Sequence, residues 1–98
     1  MPFFIKTETI KEIYLTRKTK NRKETIQAHK EWIKSLKAKG LRIESGFLTN
    51  EKQEPGGGGI LIIESDSYSN ALNIVSQDPM IKNQIVDWKF YEWININL

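Results

Sequence analysis

The chain has 98 residues, a net charge of +3, and 39 % hydrophobic and 28 % charged residues, the proportions of one soluble globular domain spanning residues 1–98. No run approaches the ~20 apolar residues of a membrane span, and Met1-Pro2-Phe3-Phe4-Ile5-Lys6 is too short for a secretory signal, so the expected setting is cytoplasmic, away from any membrane. The absence of cysteine excludes disulfides, thiolate metal sites and cysteine nucleophiles, and a single histidine excludes a zinc centre built on two or three imidazoles of one chain; no metal or other cofactor is expected.

In chain order, Phe3-Phe4-Ile5 opens a strand that runs to about Thr7. Residues 9–16 admit two readings: Ile10, Ile13 and Tyr14 fit a turn of helix, whereas Ile13 and Leu15 fit an extended segment. Arg17-Lys18-Thr19-Lys20-Asn21-Arg22-Lys23 concentrates positive charge, which could bind phosphate or nucleic acid. It carries no aromatic residue for base stacking, and the solvated loop and helix start is the reading adopted.

A helix begins at Asn21, which can cap, with Glu24 three residues later in capping-box position. Ile26, His29, Ile33 and Leu36 then recur at helical spacing with Trp32 alongside. Lys34, Lys37 and Lys39 suit the negative end of the helix dipole, and Gly40 supplies the residue just past the end. Leu41 to Ser45 alternates apolar and polar residues as a half-buried strand does, continuing through Gly46-Phe47-Leu48. Gly46 suggests a bulge or a close approach there.

Asn50 to Pro55 and the four glycines Gly56 to Gly59 read as a mobile hairpin loop. Ile60-Leu61-Ile62-Ile63 is a continuous apolar run, the pattern of a central strand buried on both faces. Asp66 or Ser67 can cap a second helix carrying Tyr68, Ala71, Leu72 and Val75. Pro79 is expected to end it, because Asp78 before proline is biased away from helical geometry. After a turn through Met80 to Asn83, Ile85 to Ile96 forms a last strand bearing Trp88, Phe90, Tyr91 and Trp93.

The order strand, helix, strand, strand, helix, strand predicts an α+β, ferredoxin-like βαββαβ fold: a four-stranded antiparallel sheet with two helices on one face. The other face would expose more apolar surface than a monomer tolerates. Packing two sheets face to face covers it, so a homodimer is expected. A ferredoxin-like sheet displaying Phe90, Tyr91 and Trp93 is also the kind of surface that stacks RNA bases, but nucleic acid is not the expected partner.

His29 is the only imidazole in the chain, so proton transfer near neutral pH through an unperturbed side chain must use it. A lone histidine on an apolar helix face is also what a core or interface histidine looks like, and Asp-Pro is a common turn starter. Asp78, placed at a helix C-terminus, would meet an unfavourable dipole that a nearby imidazolium could offset. Serine-triad, P-loop and paired-carboxylate readings lack the necessary residues or spacing; Gly56 to Gly59 has no following Lys-Ser/Thr and precedes a strand.

The set His29-x-x-Trp32-Ile33-x-x-Leu36-x-x-x-Gly40, Ser45-Gly46-Phe47-Leu48, the glycines before Ile60-Leu61-Ile62, Ala71, Asp78-Pro79-Met80 and Trp88…Glu92-Trp93 resembles the YCII-related family of the dimeric α/β-barrel superfamily, from Phe3 to Trp93. The resemblance implies a ferredoxin-like dimer whose histidine and aspartate, here His29 and Asp78, line a pocket between helices and sheet. One member of that family dechlorinates a hydroxyquinone, and the superfamily includes muconolactone isomerase and quinone-forming monooxygenases. This chain carries Phe47 where many relatives have proline, a change in the pocket wall.

The function expected is binding of a small planar or aromatic metabolite, with acid–base chemistry of lyase or isomerase type. Asp78 would fix the tautomer of His29, and His29 would move a proton, a role worth typically ~10²–10⁴-fold. Trp32, Phe47 and Met80 would supply apolar walls, although each also suits ordinary core packing. The alternative is a non-catalytic metabolite-binding or protein-interaction module using the same residues.

Overall fold

Alternation along the first strand sets the geometry of everything that follows. In β1 (Phe3–Ile10), Phe4 and Lys6 point inward and are buried, while Phe3 and Ile5 point to the other face. The structure, a computed structural model, describes residues 1–16 and 20–97; of the basic cluster, Arg17, Lys18 and Thr19 lie outside the described residues. After β1 come α1 (Glu12–Thr16), α2 (Lys20–Ala38), β2 (Ile43–Thr49), β3 (Pro55–Glu64), α3 (Tyr68–Val75), α4 (Pro79–Lys82) and β4 (Val86–Trp93).

The strands form one antiparallel sheet in the order β2-β3-β1-β4, with the first and third strands central, and the arrangement is ferredoxin-like. The register aligns two rows of side chains on the helix-covered face. One row is Phe90, Lys6, Leu61 and Ser45; the next is Trp88, Glu8, Gly59 and Phe47. Among the described residues no helix is long and apolar enough to cross a membrane.

Two apolar clusters hold the helices to the sheet. Phe4, Ile43, Leu61 and Ile63 pack with Ile33 of α2 and with Ala71 and Val75 of α3. Met80, Ile85 and Val86 pack with Ile10, Tyr14, Ile26, Ile81 and Trp88 around α4. Full burial of a side chain such as Leu61 or Ile63 is worth about 1.5–3 kcal/mol. Phe4 belongs to the first cluster and Ile10 to the second, so Lys6 and Glu8 occupy the stretch of β1 between them.

Several sequence expectations change. The open segment resolves into the end of β1 followed by the short helix α1. Helix α2 already includes Lys20, so Asn21 lies within it and is not its cap. Its other end follows expectation. Gly40 adopts φ 92°, its N–H bonds to the Lys37 carbonyl at 2.9 Å, and the Leu41 N–H reaches the Leu36 carbonyl at 3.1 Å.

The glycine run is not a mobile loop: Gly56 to Gly59 belong to β3, and the hairpin is made by residues 50–54. There the Asn50 side chain accepts from the N–H groups of Lys52 and Glu54, fixing the turn. Glycine pairs in a ladder through its backbone like any residue, which composition alone does not reveal. The irregularity expected at Gly46 falls between Phe47 and Thr49, and the close approach belongs to Gly59, where an added Cβ would lie 3.1 Å from the Gly46 carbonyl oxygen.

Burial of Ile60 to Ile63 is one-sided, with Leu61 and Ile63 buried and Ile60 and Ile62 only half-buried on the uncovered face. The uncovered face also splits the aromatic residues of β4: Tyr91 and Trp93 lie on it, while Trp88 and Phe90 face the helices.

Candidate functional site

The largest correction concerns Asp78. Helix α3 is capped by Ser67, which accepts from the Asn70 N–H, and ends at Val75, three residues before Asp78. Pro79 does not terminate a helix; it opens α4 at the first position, where its missing N–H costs nothing. Asp78 is therefore an N-cap, its Oδ1 accepting from the Met80 N–H at 2.9 Å. Its carboxylate meets the favourable end of a helix, the reverse of the sequence expectation.

Tertiary packing brings His29 to it. Helix α2 packs against both β2 and α4, and the buried Thr25 hydroxyl accepts from the Asn83 amide at the end of α4 at 2.8 Å. His29 follows Thr25 by one helical turn on the same face. Its Nδ1 lies 2.7 Å from Asp78 Oδ1, and its Nε2 lies 2.8 Å from Ser45 Oγ on β2. An ionised carboxylate only accepts, so Nδ1 carries a proton and donates to Asp78. In the neutral imidazole, Nε2 then holds the lone pair and accepts from the Ser45 hydroxyl.

The other carboxylate oxygen, Oδ2, accepts from Lys6 Nζ at 2.5 Å, and Lys6 also pairs with Glu8. Lys6 is 1 % exposed and Asp78 is 0 % exposed, so this ion pair is buried. Asp78 consequently has three donors on two oxygens: a backbone N–H, an imidazole and an ammonium. Burial pushes its carboxyl pKa up, but the His29 hydrogen bond, the Lys6 charge, the His29 charge and the Lys6 hydrogen bond together outweigh it and hold the pKa below the usual carboxylate value. The His29 side chain is 15 % exposed, so it has a buried nitrogen facing Asp78 and an outer one facing Ser45.

The expected wall residues take three different positions. The Trp32 ring lies 5.9 Å from the His29 ring, centroid to centroid, and packs half-buried against the main core. Met80 is buried in the second cluster, and its backbone N–H reaches Asp78. Phe47 is 71 % exposed on the row beside Ser45. Two shallow grooves, each of about 300 Å³, lie elsewhere: one around Leu41 and Ile43, the other between α2 and α3 at Trp32 and Ile74; neither is lined by His29 or Asp78.

Sequence reasoning missed Lys6, Glu8 and Ser45 as neighbours of the pair. The signal for the first two was present. Once Phe4 is inward, period-2 alternation puts Lys6 and Glu8 inward as well, two opposite charges on the covered face. For Ser45 the same alternation, continued from Leu41 and Ile43, puts the side chain on the covered face, but nothing local ties it to His29. Ser45, His29 and Asp78 lie in hydrogen-bonded series, an arrangement their spacing in the sequence does not reveal.

Comparison with known proteins agrees with the fold. The 5-chloro-2-hydroxyhydroquinone dehydrochlorinase of Burkholderia phenoliruptrix, solved in complex with 2,5-dihydroxybenzoquinone, superposes with a TM-score of 0.68 at 22 % identity, over 94 % of this chain and 93 % of that one. No curated protein matches the sequence at a significant level. The family model for the YCII-related domain matches residues 2–94, nearly the whole chain. The chain belongs to the YCII-related domain family.

Proposed function

We propose that this protein binds a small planar or aromatic metabolite and performs acid–base chemistry on it, of lyase or isomerase type, with His29 as the group that moves the proton. The observation that carries the reading is the 2.7 Å contact between His29 Nδ1 and a fully buried, ionised Asp78. That contact fixes the tautomer and stabilises the imidazolium once Nε2 has taken a proton, which is what a general base needs. Trp32 beside the imidazole and exposed Phe47 offer flat apolar surface for a planar ligand. The structurally similar dehydrochlorinase, solved in complex with 2,5-dihydroxybenzoquinone, supports the ligand class.

The working form in this reading is a homodimer. Phe3, Ile5, Ile60, Ile62, Tyr91 and Trp93 share the uncovered face of the sheet, and Tyr91 and Trp93 remain about half exposed. Covering such a patch with a second copy removes it from water. Met80 then acts through its backbone N–H on Asp78, and its side chain supports α4 from the core.

The test is an NMR titration of His29 in wild type and Asp78→Asn, together with binding of 2,5-dihydroxybenzoquinone and a screen for its conversion. An imidazole titration that differs between the two proteins and loss of turnover in His29→Ala are expected. Binding that depends on His29 without conversion of any bound compound would instead make this a binding module. A titration indifferent to Asp78→Asn would sink the acid–base reading.

A further inference from the structure

The Ser45 hydroxyl stands at the outer end of a three-membered series whose inner end is buried. Ser45 Oγ is 2.8 Å from His29 Nε2, His29 Nδ1 is 2.7 Å from Asp78 Oδ1, and Asp78 is held by Lys6 and the Met80 N–H. A nucleophile touching a base that is oriented by a third group is the arrangement that activates serine on unrelated folds. Ser45 is exposed while Asp78 is buried, so a substrate can reach the hydroxyl without disturbing the group behind it.

The backbone adds a second observation. The Glu64 N–H bonds to the Arg42 carbonyl at 2.9 Å, which sets the phase of the β2–β3 ladder. Residues 42, 44 and 46 then bond to β3, and residue 45 turns its N–H toward the free edge of β2, the outer strand of the sheet. An unpaired N–H on the nucleophile itself is one of the donors that stabilise an acyl-transfer oxyanion.

We propose that Ser45 is a nucleophile for acyl transfer, with activated esters of small aromatic alcohols as the substrate class. Ser45 Oγ attacks the ester carbonyl carbon as His29 Nε2 takes the hydroxyl proton, and the carbonyl electron pair moves onto oxygen. Collapse expels the aryloxide, which receives the proton from His29, leaving an acyl ester on Ser45. Water, deprotonated by His29, attacks that ester; the acid leaves and Ser45 regains its proton. The sum is ester plus water to acid plus phenol, with no change in oxidation state and no co-reactant besides water. Trp32 beside the His29 ring and exposed Phe47, two residues along β2 from Ser45, offer surface for the aromatic leaving group. This activity goes beyond the proton transfer proposed above but relies on the same His29–Asp78 pair.

Treatment of the full chain with diisopropyl fluorophosphate, read by intact mass and peptide mapping, should give one adduct, on Ser45. Ser45→Ala should lose the adduct and at least ~100-fold of kcat/KM for 4-nitrophenyl acetate, and His29→Ala should slow labelling to a similar degree. Because free imidazole also cleaves that ester, a Ser45→Ala variant as active as wild type overturns the proposal. So does an absence of labelling under conditions that modify a serine esterase. In Ser45→Cys, the thiol should react with iodoacetamide faster near neutral pH than in the Ser45→Cys/His29→Ala double variant; equal rates also overturn it. An unlabelled Ser45 with a His29 titration that still responds to Asp78→Asn refutes the nucleophile alone and leaves the acid–base reading standing.

Discussion

Replacing Asp78 by asparagine probes the buried ion cluster directly. Asparagine keeps an oxygen for the Met80 N–H, so the cap is retained, but the negative charge facing Lys6 and His29 is gone. Removing one partner of a buried ion pair costs about 3–5 kcal/mol, because the other charge is left uncompensated. Glu8 still pairs with Lys6, which places the expected loss at the lower end, about 3 kcal/mol. With a urea m-value near ~1.5 kcal/mol/M, the midpoint should fall by about 2 M. Such a loss is a large part of the ~5–15 kcal/mol that holds a domain together. Lys6→Met removes the other charge. The double variant Lys6→Met/Asp78→Asn should therefore be more stable than the sum of the single losses predicts, by at least ~1 kcal/mol. Equilibrium urea unfolding of the four proteins measures all of this. A midpoint unchanged within ~0.3 M in Asp78→Asn, or strictly additive losses, would refute the claim that the Lys6–Asp78 pair holds this part of the fold.

The same carboxylate sets an acid limit: its folded pKa is held below the unfolded value of 3.8, so its ionisation favours the fold, fully above 3.8 and decreasingly as pH falls through the folded value. The stability gap between wild type and Asp78→Asn, followed by urea midpoints from about pH 5 downward, should narrow as pH falls through the folded carboxyl value. Gly40→Ala should cost about 1 kcal/mol by thermal melting although nothing lies within 4 Å of an added Cβ, because φ 92° is strained for any L side chain; no loss would mean that the helix end relaxes freely. Trp93→Glu should shift sedimentation from dimer to monomer at micromolar concentration without unfolding the chain, since Trp93 is 44 % exposed on the uncovered sheet face. A monomeric wild type would remove the dimer proposal.

Periodicity alone carried the α+β order, the buried stripe of α2 with His29 on it, and the Gly40 stop, because these depend on neighbours a few residues apart in one chain segment. The glycine run was misread for the complementary reason. Residues 56–59 are extended because β1 pairs with β3 alongside them, from Thr7–Ile60 to Thr9–Gly58, and nothing local to the glycines says so. The site divides along the same line. His29 and Asp78 were legible as unusual residues, but the helix end that receives Asp78 was assigned with the wrong sign, since Pro79 can follow one helix or begin the next and only the course of the chain chooses. Lys6, Glu8 and Ser45 joined them through strand register and helix docking. Lys6 and Ser45 lie in one row across three strands, and His29 descends onto that row from α2. Hydrogen bonds between residues so distant in sequence need the whole sheet in place before any partner can be named, which is why the partners of His29 were a property of the tertiary structure.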